Sequence, residues 1–307
     1  MAGWRGRVAR GIGGLVLTGL TACGGLALTP LQSRYQRETE RALRYHAHGE
    51  LSRALASYRE SLRWAEMADD RPAMLAQELN VGALALALGD WALAEDGFQR
   101  AQLMAAVLSD STGELRAGLG LAQVRLRQGR FDDARRAFQQ ALDDARGRDV
   151  AAMVVALNGL ALANQALGQT PVARAALAEA EPLARAQDDR RLLAATLANR
   201  AALALRAGEV ESAERSLEEA IDMDRAAENL PGLAHDLLLL GQVRQRQGRT
   251  PAAQELARRA RIILQHTGQH PRPSGGATAS PVSEGVNPGV RLRPAGLKSA
   301  RRDGSSQ

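Results

Sequence analysis

The sequence of 307 residues predicts an all-α fold, an α–α superhelix of six stacked helix–turn–helix units. First, six glycines recur at steps of 40, 40, 39, 40 and 40 residues, and each is followed five residues later by an alanine. Second, apolar residues over 33–267 recur at the i, i+3, i+4, i+7 period of amphipathic helices. A fixed period of this size is typical of a repeat protein. The glycines are Gly49, Gly89, Gly129, Gly168, Gly208 and Gly248, and the alanines are Ala54, Ala94, Ala134, Ala173, Ala213 and Ala253.

Residues 1–22 have the layout of a secretory signal peptide. Three arginines precede an apolar stretch that is too short to span a bilayer as a helix. The tetrapeptide Leu20-Thr21-Ala22-Cys23 resembles the bacterial lipobox, in which small residues precede a cysteine that becomes lipidated. We therefore expect fatty-acid (palmitate) modification of Cys23 and a location in the bacterial cell envelope. An ordinary signal peptide is the alternative. By the sorting rule of such lipoproteins, Gly24 in place of an aspartate favours the outer membrane, with the array facing the periplasm.

The segments that flank the repeats are expected to be a short tether and a basic tail. Residues 23–32 begin with the lipidated cysteine and form the tether, and residues 268–307 are rich in Pro, Gly, Ser and Arg and are predicted to be disordered. The two ends also carry the basic charge: 1–22 contributes +3 and 269–307 contributes +4, which leaves −1 for 23–268. A near-neutral body excludes nucleic acid as a partner, because phosphate binding requires a basic face.

Within each unit, the glycine is predicted to end the first helix in a left-handed conformation. A polar break then ends the second helix and caps the next unit, because Asp, Asn and Ser side chains accept hydrogen bonds from free helix N–H groups. Pro182 lies inside the second helix of unit 4, so a kink or an early helix end is expected there. The breaks are Asp69-Asp70, Ser109-Asp110-Ser111, Asp149, Asp188-Asp189 and Glu228-Asn229.

Further positions recur in register with the glycines. Seven residues before each glycine stands a small residue: Ala42, Gly82, Ala122, Ala161, Ala201 and Gly241. Four residues after the repeated alanine stands an apolar residue: Tyr58, Phe98, Phe138, Leu177, Leu217 and Ala257. This order resembles the tetratricopeptide repeat, in a subclass with longer, 40-residue units. The small residues let two helices pack closely and the bulky ones fill the space between units. Packing is therefore expected to weaken toward the C-terminus, where no extra helix covers unit 6.

The resemblance implies that the first helix of each unit lines a concave groove, and that Asn, Gln and Arg residues there bind a protein or peptide partner. In members of this family that bind extended peptides, Asn forms hydrogen bonds with the peptide backbone and Arg binds a carboxylate. A merely solvated helix face is the other interpretation. Leu79, Leu86, Leu119 and Leu126 are expected either beside this groove or in the core. The predicted partner-binding residues are Asn80, Arg116, Gln123, Arg127, Asn158, Gln165, Asn199, Arg206, His235, Gln242, Gln245 and Arg246.

The sequence offers no catalytic constellation. His46 and His48 are two residues apart and point to different helix faces, and no nucleophile–base arrangement or phosphate-binding loop is present. We therefore predict a non-enzymatic protein without a metal or a cofactor. The leading hypothesis is a lipid-anchored scaffold that recruits a protein partner through its groove. The alternative is a periplasm-facing receptor or carrier for a peptide or small ligand.

Overall fold

The computed structural model describes residues 28–267, and this part of the chain consists of twelve α-helices joined by short turns. Each predicted unit is one helical hairpin, so the six-unit superhelix is confirmed. The helices are α1 Pro30–Ala47, α2 Leu51–Met67, α3 Arg71–Leu88, α4 Trp91–Leu108, α5 Ser111–Arg127, α6 Phe131–Ala145, α7 Val150–Ala166, α8 Thr170–Ala186, α9 Arg190–Ala207, α10 Val210–Ala226, α11 Leu230–Arg246 and α12 Thr250–His266.

The stacking has an inner and an outer side. Each helix packs against the next one in the chain, and α3, α5, α7, α9 and α11 also contact one another in that order. Among the described helices, no two even-numbered ones are in contact. Helices that crowd together in a curved stack lie on its shorter, concave side. The odd-numbered helices therefore form the inner face and the even-numbered helices form the outer one.

The turns follow the predicted chemistry. All six repeat glycines have a positive φ, from 73° to 81°, which an L residue adopts only at a cost. The predicted caps are also present at Asp70, Asp110, Asp149 and Asp189, whose carboxylates accept hydrogen bonds from backbone N–H groups in the first turn of the next helix. Asn229 precedes α11 but makes no such bond.

Two helices differ from the sequence-based expectation. Helix α1 begins at Pro30, within the segment expected to be tether, because Thr29 and Gln32 form a reciprocal capping box. Helix α8 does not end early at Pro182 but continues to Ala186. Pro182 and Ala178, whose carbonyl loses its helical partner, both lie on the exposed side, where water replaces the missing bond.

The core is built as predicted, from bulky residues of the outer helices set between small residues of the inner ones. Phe98 of α4 is fully buried between Gly82 of α3 and Gly120 of α5. Phe138 of α6 likewise lies against Gly159 of α7. Burial does not decrease steadily toward the C-terminus, since α8 has four buried residues and α10 has six. It falls only at α12, which no following unit covers and which has Ala260 as its buried residue.

The two ends of the described array meet, which the repeat pattern does not predict. The backbone of Thr267, directly after α12, packs against the turn at Gly49, where a Cβ added to the glycine would lie 2.8 Å from the Thr267 Cα. Near this contact, burial and the charge of Arg191, at the start of α9, lower the pKa of His46 in α1. The first unit therefore lies close to units 5 and 6, and the concave face is enclosed.

Within residues 28–267, no helix has the length and apolar character needed to cross a bilayer, and no group of three His, Cys, Asp or Glu side chains is placed to hold a metal ion. The predicted signal peptide, Cys23 and the basic tail lie outside the described residues.

Candidate binding channel on the inner face

The structure places every predicted partner-binding residue on an odd-numbered helix. We call the concave surface that these helices enclose the inner channel. Helix α3 carries Asn80, α5 carries Arg116, Gln123 and Arg127, α7 carries Asn158 and Gln165, α9 carries Asn199 and Arg206, and α11 carries His235, Gln242, Gln245 and Arg246.

These residues differ in how deeply they lie. The three asparagines are buried, the residues of the last turns, Arg206, Gln242, Gln245 and Arg246, are exposed, and the others are partly exposed. The four leucines whose place the sequence leaves open, Leu79, Leu86, Leu119 and Leu126, are buried in the core. The predicted residues therefore divide into buried amides and an exposed rim of cationic and amide side chains.

Asn80 belongs to a polar contact between units 1 and 2. Its Nδ2 lies 3.5 Å from Oε1 of Gln77, and Nε2 of Gln77 donates to Oγ1 of Thr39 at 3.0 Å. Ser61 of α2 lies 2.8 Å from the same hydroxyl. Since these groups satisfy one another inside the protein, Asn80 serves the unit junction rather than an open surface.

A second polar junction joins units 4 and 5. Asn158 Nδ2 donates to Oγ1 of Thr196 at 2.9 Å, and the hydroxyl of Thr196 donates to the carbonyl of Leu192 at 2.9 Å. Thr196 is buried and escaped the sequence-based prediction, because a lone threonine in an apolar helix carries no distinctive signal.

Oδ1 of Asn164 on α7 is one buried amide oxygen without a hydrogen-bond partner, and three others belong to predicted partner-binding residues on consecutive inner helices. These three are Oε1 of Gln123 on α5, Oδ1 of Asn158 on α7 and Oδ1 of Asn199 on α9, and all three are buried. Leaving a buried acceptor unsatisfied costs about 1–3 kcal/mol. Three such acceptors on adjacent inner helices are thus a destabilising feature of the inner face.

The channel is also electropositive. Arg116, Arg127, Arg206 and Arg246 lie along it. His235 of unit 6 faces Arg127 of unit 3, and burial together with that charge lowers the pKa of His235 to about 4, so the imidazole is neutral at pH 7.

The arrangement is suited to binding. Its groups are amides, guanidinium groups and one neutral imidazole, which donate and accept hydrogen bonds and attract anions. The buried carboxylic acids of the inner helices, Glu78 and Asp236, are not paired with a nucleophile. The sequence did not single these acids out, because a charged residue in a helical repeat normally lies on a solvated face.

Comparison with known proteins agrees with this architecture. Residues 70–147, which span α3 to α6, match the family model described as tetratricopeptide repeat. Among solved structures, BtubC from P. vanneervenii is 21% identical, with 82% of this chain and 98% of that chain covered and a TM-score of 0.50. No curated protein matches the sequence significantly.

Two structures of complexes have a higher TM-score of 0.62. A Rap protein complexed with competence and sporulation factor is 12% identical, covering 79% of this chain and 78% of that chain. The Rap conjugation regulator of plasmid pLS20 in complex with the Phr* peptide is 13% identical, covering 82% and 81%. These identities establish the fold alone. The described part of the chain is therefore a helical solenoid of the tetratricopeptide-repeat type, and residues 70–147 match the repeat family in sequence.

Proposed function

We propose that the chain is a non-enzymatic scaffold of the bacterial envelope, a member of the long-repeat tetratricopeptide subclass, anchored by lipid at Cys23 to the periplasmic side of the outer membrane. Its inner channel would hold an extended segment of a partner protein. The lipobox-like sequence before Cys23 supports the anchor, and the fold supports the binding mode.

The single observation that carries the binding proposal is the set of orphaned acceptors on Gln123, Asn158 and Asn199. An extended peptide exposes N–H donors, and rotation of the amide side chains toward the channel would let these buried oxygens accept hydrogen bonds from some of them. Neighbouring packed helices lie roughly 8–10 Å apart. An extended chain advances about 3.3 Å per residue, so it presents about three residues to each unit. A segment that reaches all three acceptors has about seven residues.

The charge of the channel adds a preference for acidic segments. Arg206 and Arg246 lie at the exposed rim, and guanidinium groups bind carboxylates through paired hydrogen bonds. Carboxylate side chains or a C-terminal carboxylate of the partner would meet them. A charge-reversed channel, Arg127→Glu with Arg206→Glu, is accordingly expected to lose the partner while the array stays folded.

A receptor for a free peptide is the second candidate, favoured by the closure of the array. The contact between Gly49 and Thr267 brings the two ends of the described array together around the channel. The two Rap structures of similar fold each contain a bound peptide or factor. Affinity capture from membranes separates the candidates: a stoichiometric large protein supports the scaffold, whereas capture of short peptides alone supports the receptor.

The binding proposal is tested with selected peptides. A displayed library of peptides of about nine residues is selected on the full chain, and the dissociation constant of a selected peptide is measured for wild type and for Asn199→Leu. Leucine stands at the equivalent position of unit 6 as Leu239, so the variant is expected to fold. We expect affinity to fall at least tenfold, about 1.4 kcal/mol, while thermal stability is unchanged or higher.

Two controls make the result specific. Gln99→Leu exchanges an exposed amide on outer helix α4 and should leave the affinity unchanged. N-methylation of single backbone nitrogens of the peptide should weaken binding at about every third position. Equal affinity of wild type and Asn199→Leu for the peptide would refute the role of the unpaired amide oxygens in binding.

The anchor is tested separately. Cells expressing the chain are labelled with radioactive palmitate, and the label should enter wild type but not Cys23→Ser. Label that persists in the variant, or none in wild type, would leave an ordinary signal peptide as the better interpretation.

A further inference from the structure

The junction between units 5 and 6 departs from the pattern of the other junctions at two positions. The first lies sixteen residues after the repeat glycine, near the end of the outer helix. Unit 5 has Asp224 there, and it is buried. The earlier units all have a buried alanine, namely Ala65, Ala105, Ala145 and Ala184. The carboxylate fits because Gly232 of α11 faces it: a Cβ on Gly232 would lie 2.1 Å from Oδ2 of Asp224.

The second position lies twelve residues before the glycine, on the inner helix. Gln77 and Thr196 occupy it in units 2 and 5, and each bonds to the residue 38 positions earlier. In unit 6 the residue is Asp236, and the residue 38 positions before it is Ala198, which has no polar group to offer. Oδ2 of Asp236 is accordingly buried without a hydrogen-bond partner, and the residue is 1% exposed.

The groups around the two acids are few. Asn229 Nδ2 donates to Oδ1 of Asp224 at 2.8 Å, which explains why Asn229 does not cap α11. The charge of Arg191, on α9, acts on Asp224, while its Nη2 donates to the carbonyl of Ala227 at 3.1 Å. On α11 itself, neutral His235 precedes Asp236. Helix α12 packs on the neighbouring apolar core of α9, α10 and α11 with Leu256, Ala260 and Ile263.

Both acids hold their protons unusually tightly. Burial raises the pKa of Asp224 to about 7, against the smaller opposing effects of Asn229 and Arg191. Burial, and then the neighbouring Asp224, raise the pKa of Asp236 well above its ordinary value. The pair therefore fits a closed junction as neutral acids and fits it poorly as carboxylates.

We propose that the junction between units 5 and 6 is a proton-controlled hinge, closed while Asp224 and Asp236 are protonated and loosened when they ionise. The hinge is independent of the proposed peptide binding. Units of a solenoid are held mainly by their neighbours, so a weakened junction frees α11 and α12 without unfolding units 1–5. The contact between Thr267 and Gly49 depends on the position of unit 6, and opening the hinge breaks it and uncovers the inner channel.

The direction and size of the pH effect follow from proton linkage. The closed junction binds protons that the open one releases, so closure is strongest below the ordinary carboxyl pKa of about 4 and weakens as pH rises toward 7. The opening equilibrium grows about tenfold per pH unit for one proton, so Asp224 alone gives about thirtyfold between about pH 5.5 and about pH 8.

Hydrogen exchange of the full chain, read by mass spectrometry at these two pH values and corrected for the chemical exchange rate, tests the hinge. We expect protection of α11 and α12 to fall by about thirtyfold or more, while α5 and α6 stay unchanged. The test variant combines Asp224→Ala, which recreates the Ala105–Gly113 pair of an earlier junction, with Asp236→Thr, which recreates Thr196. It should show equal protection at both pH values.

Three results would overturn the proposal. The first is protection of α11 and α12 that changes with pH no more than that of α5 and α6. The second is a pH dependence that persists in the double variant. The third is full protection restored at the higher pH by added Ca²⁺ or Mg²⁺ and removed by chelator, which would make the acid pair a cation site instead. Each single variant is measured as well, so that a folding defect in the double variant does not hide the answer.

Discussion

Helix α5 contains two glycines, two residues apart, that should respond in opposite ways to the same substitution. A Cβ on Gly118 would have no heavy atom within 4 Å, whereas a Cβ on Gly120 would lie 2.5 Å from two ring carbons of Phe98. Alanine is favoured over glycine inside a helix by about 0.5–1 kcal/mol, so Gly118→Ala should stabilise the array by about that amount.

Gly120→Ala gains the same helix propensity, but its added methyl group would clash with the ring of Phe98. Phe98 has no room to retreat, because it is fully buried and Gly82 confines it from the other side, where a Cβ would lie 2.9 Å away. Overpacking a core of this kind costs about 1–3 kcal/mol. We therefore expect Gly120→Ala to be less stable than Gly118→Ala by about 1–3 kcal/mol.

The assay is urea unfolding followed by far-ultraviolet circular dichroism. Phe98→Leu supplies the matched rescue, because leucine occupies the equivalent position of units 4 and 5 as Leu177 and Leu217. In the Phe98→Leu background Gly120→Ala should cost little, with a coupling of about 1 kcal/mol or more between the two sites. Equal unfolding midpoints for Gly118→Ala and Gly120→Ala would refute the packing of the bulky residue between two inner helices.

Three further outcomes are expected. Gly49→Ala and Gly129→Ala both place alanine at a positive φ, which costs about 1–2 kcal/mol. Only the alanine at position 49 would also clash with the backbone of Thr267. Gly49→Ala should therefore lower the melting temperature further than Gly129→Ala and lengthen the distance between chain-end labels measured by energy transfer. Thr196→Val removes the partner of an inner-helix amide and should cost about 1–3 kcal/mol in urea unfolding. Burial raises the pKa of Glu78 to about 7. Stability should therefore fall from about pH 4.5 to 7, and Glu78→Gln should remove that part of the slope in a melting-temperature series, gaining about 2–3 kcal/mol at neutral pH.

Those features that depend on local sequence were predictable. The left-handed glycines, the aspartate caps and the alternation of small and bulky residues act within one unit or between adjacent units, so their spacing alone predicts them. The same holds for the location of the predicted partner-binding residues on the odd-numbered helices, since it requires only the order of helices within a unit.

Features that depend on the course of the whole superhelix were not predictable. The contact of Thr267 with Gly49 requires the curvature summed over all units, and no residue type signals it. The burial of Asp224 depends on Gly232, a glycine that has no distinguishing signal without its neighbour. The three amides on consecutive inner helices were predicted as polar residues, but their unpaired oxygens appear only once the packing of the inner helices is known.

A structure of the full chain with a selected peptide tests the central claim most directly. We predict an extended peptide in the inner channel, with backbone nitrogens about 2.7–3.2 Å from Oδ1 of Asn158 and Oδ1 of Asn199. A peptide bound on the outer helices, or one in the channel whose backbone leaves both oxygens without a donor, would contradict the account.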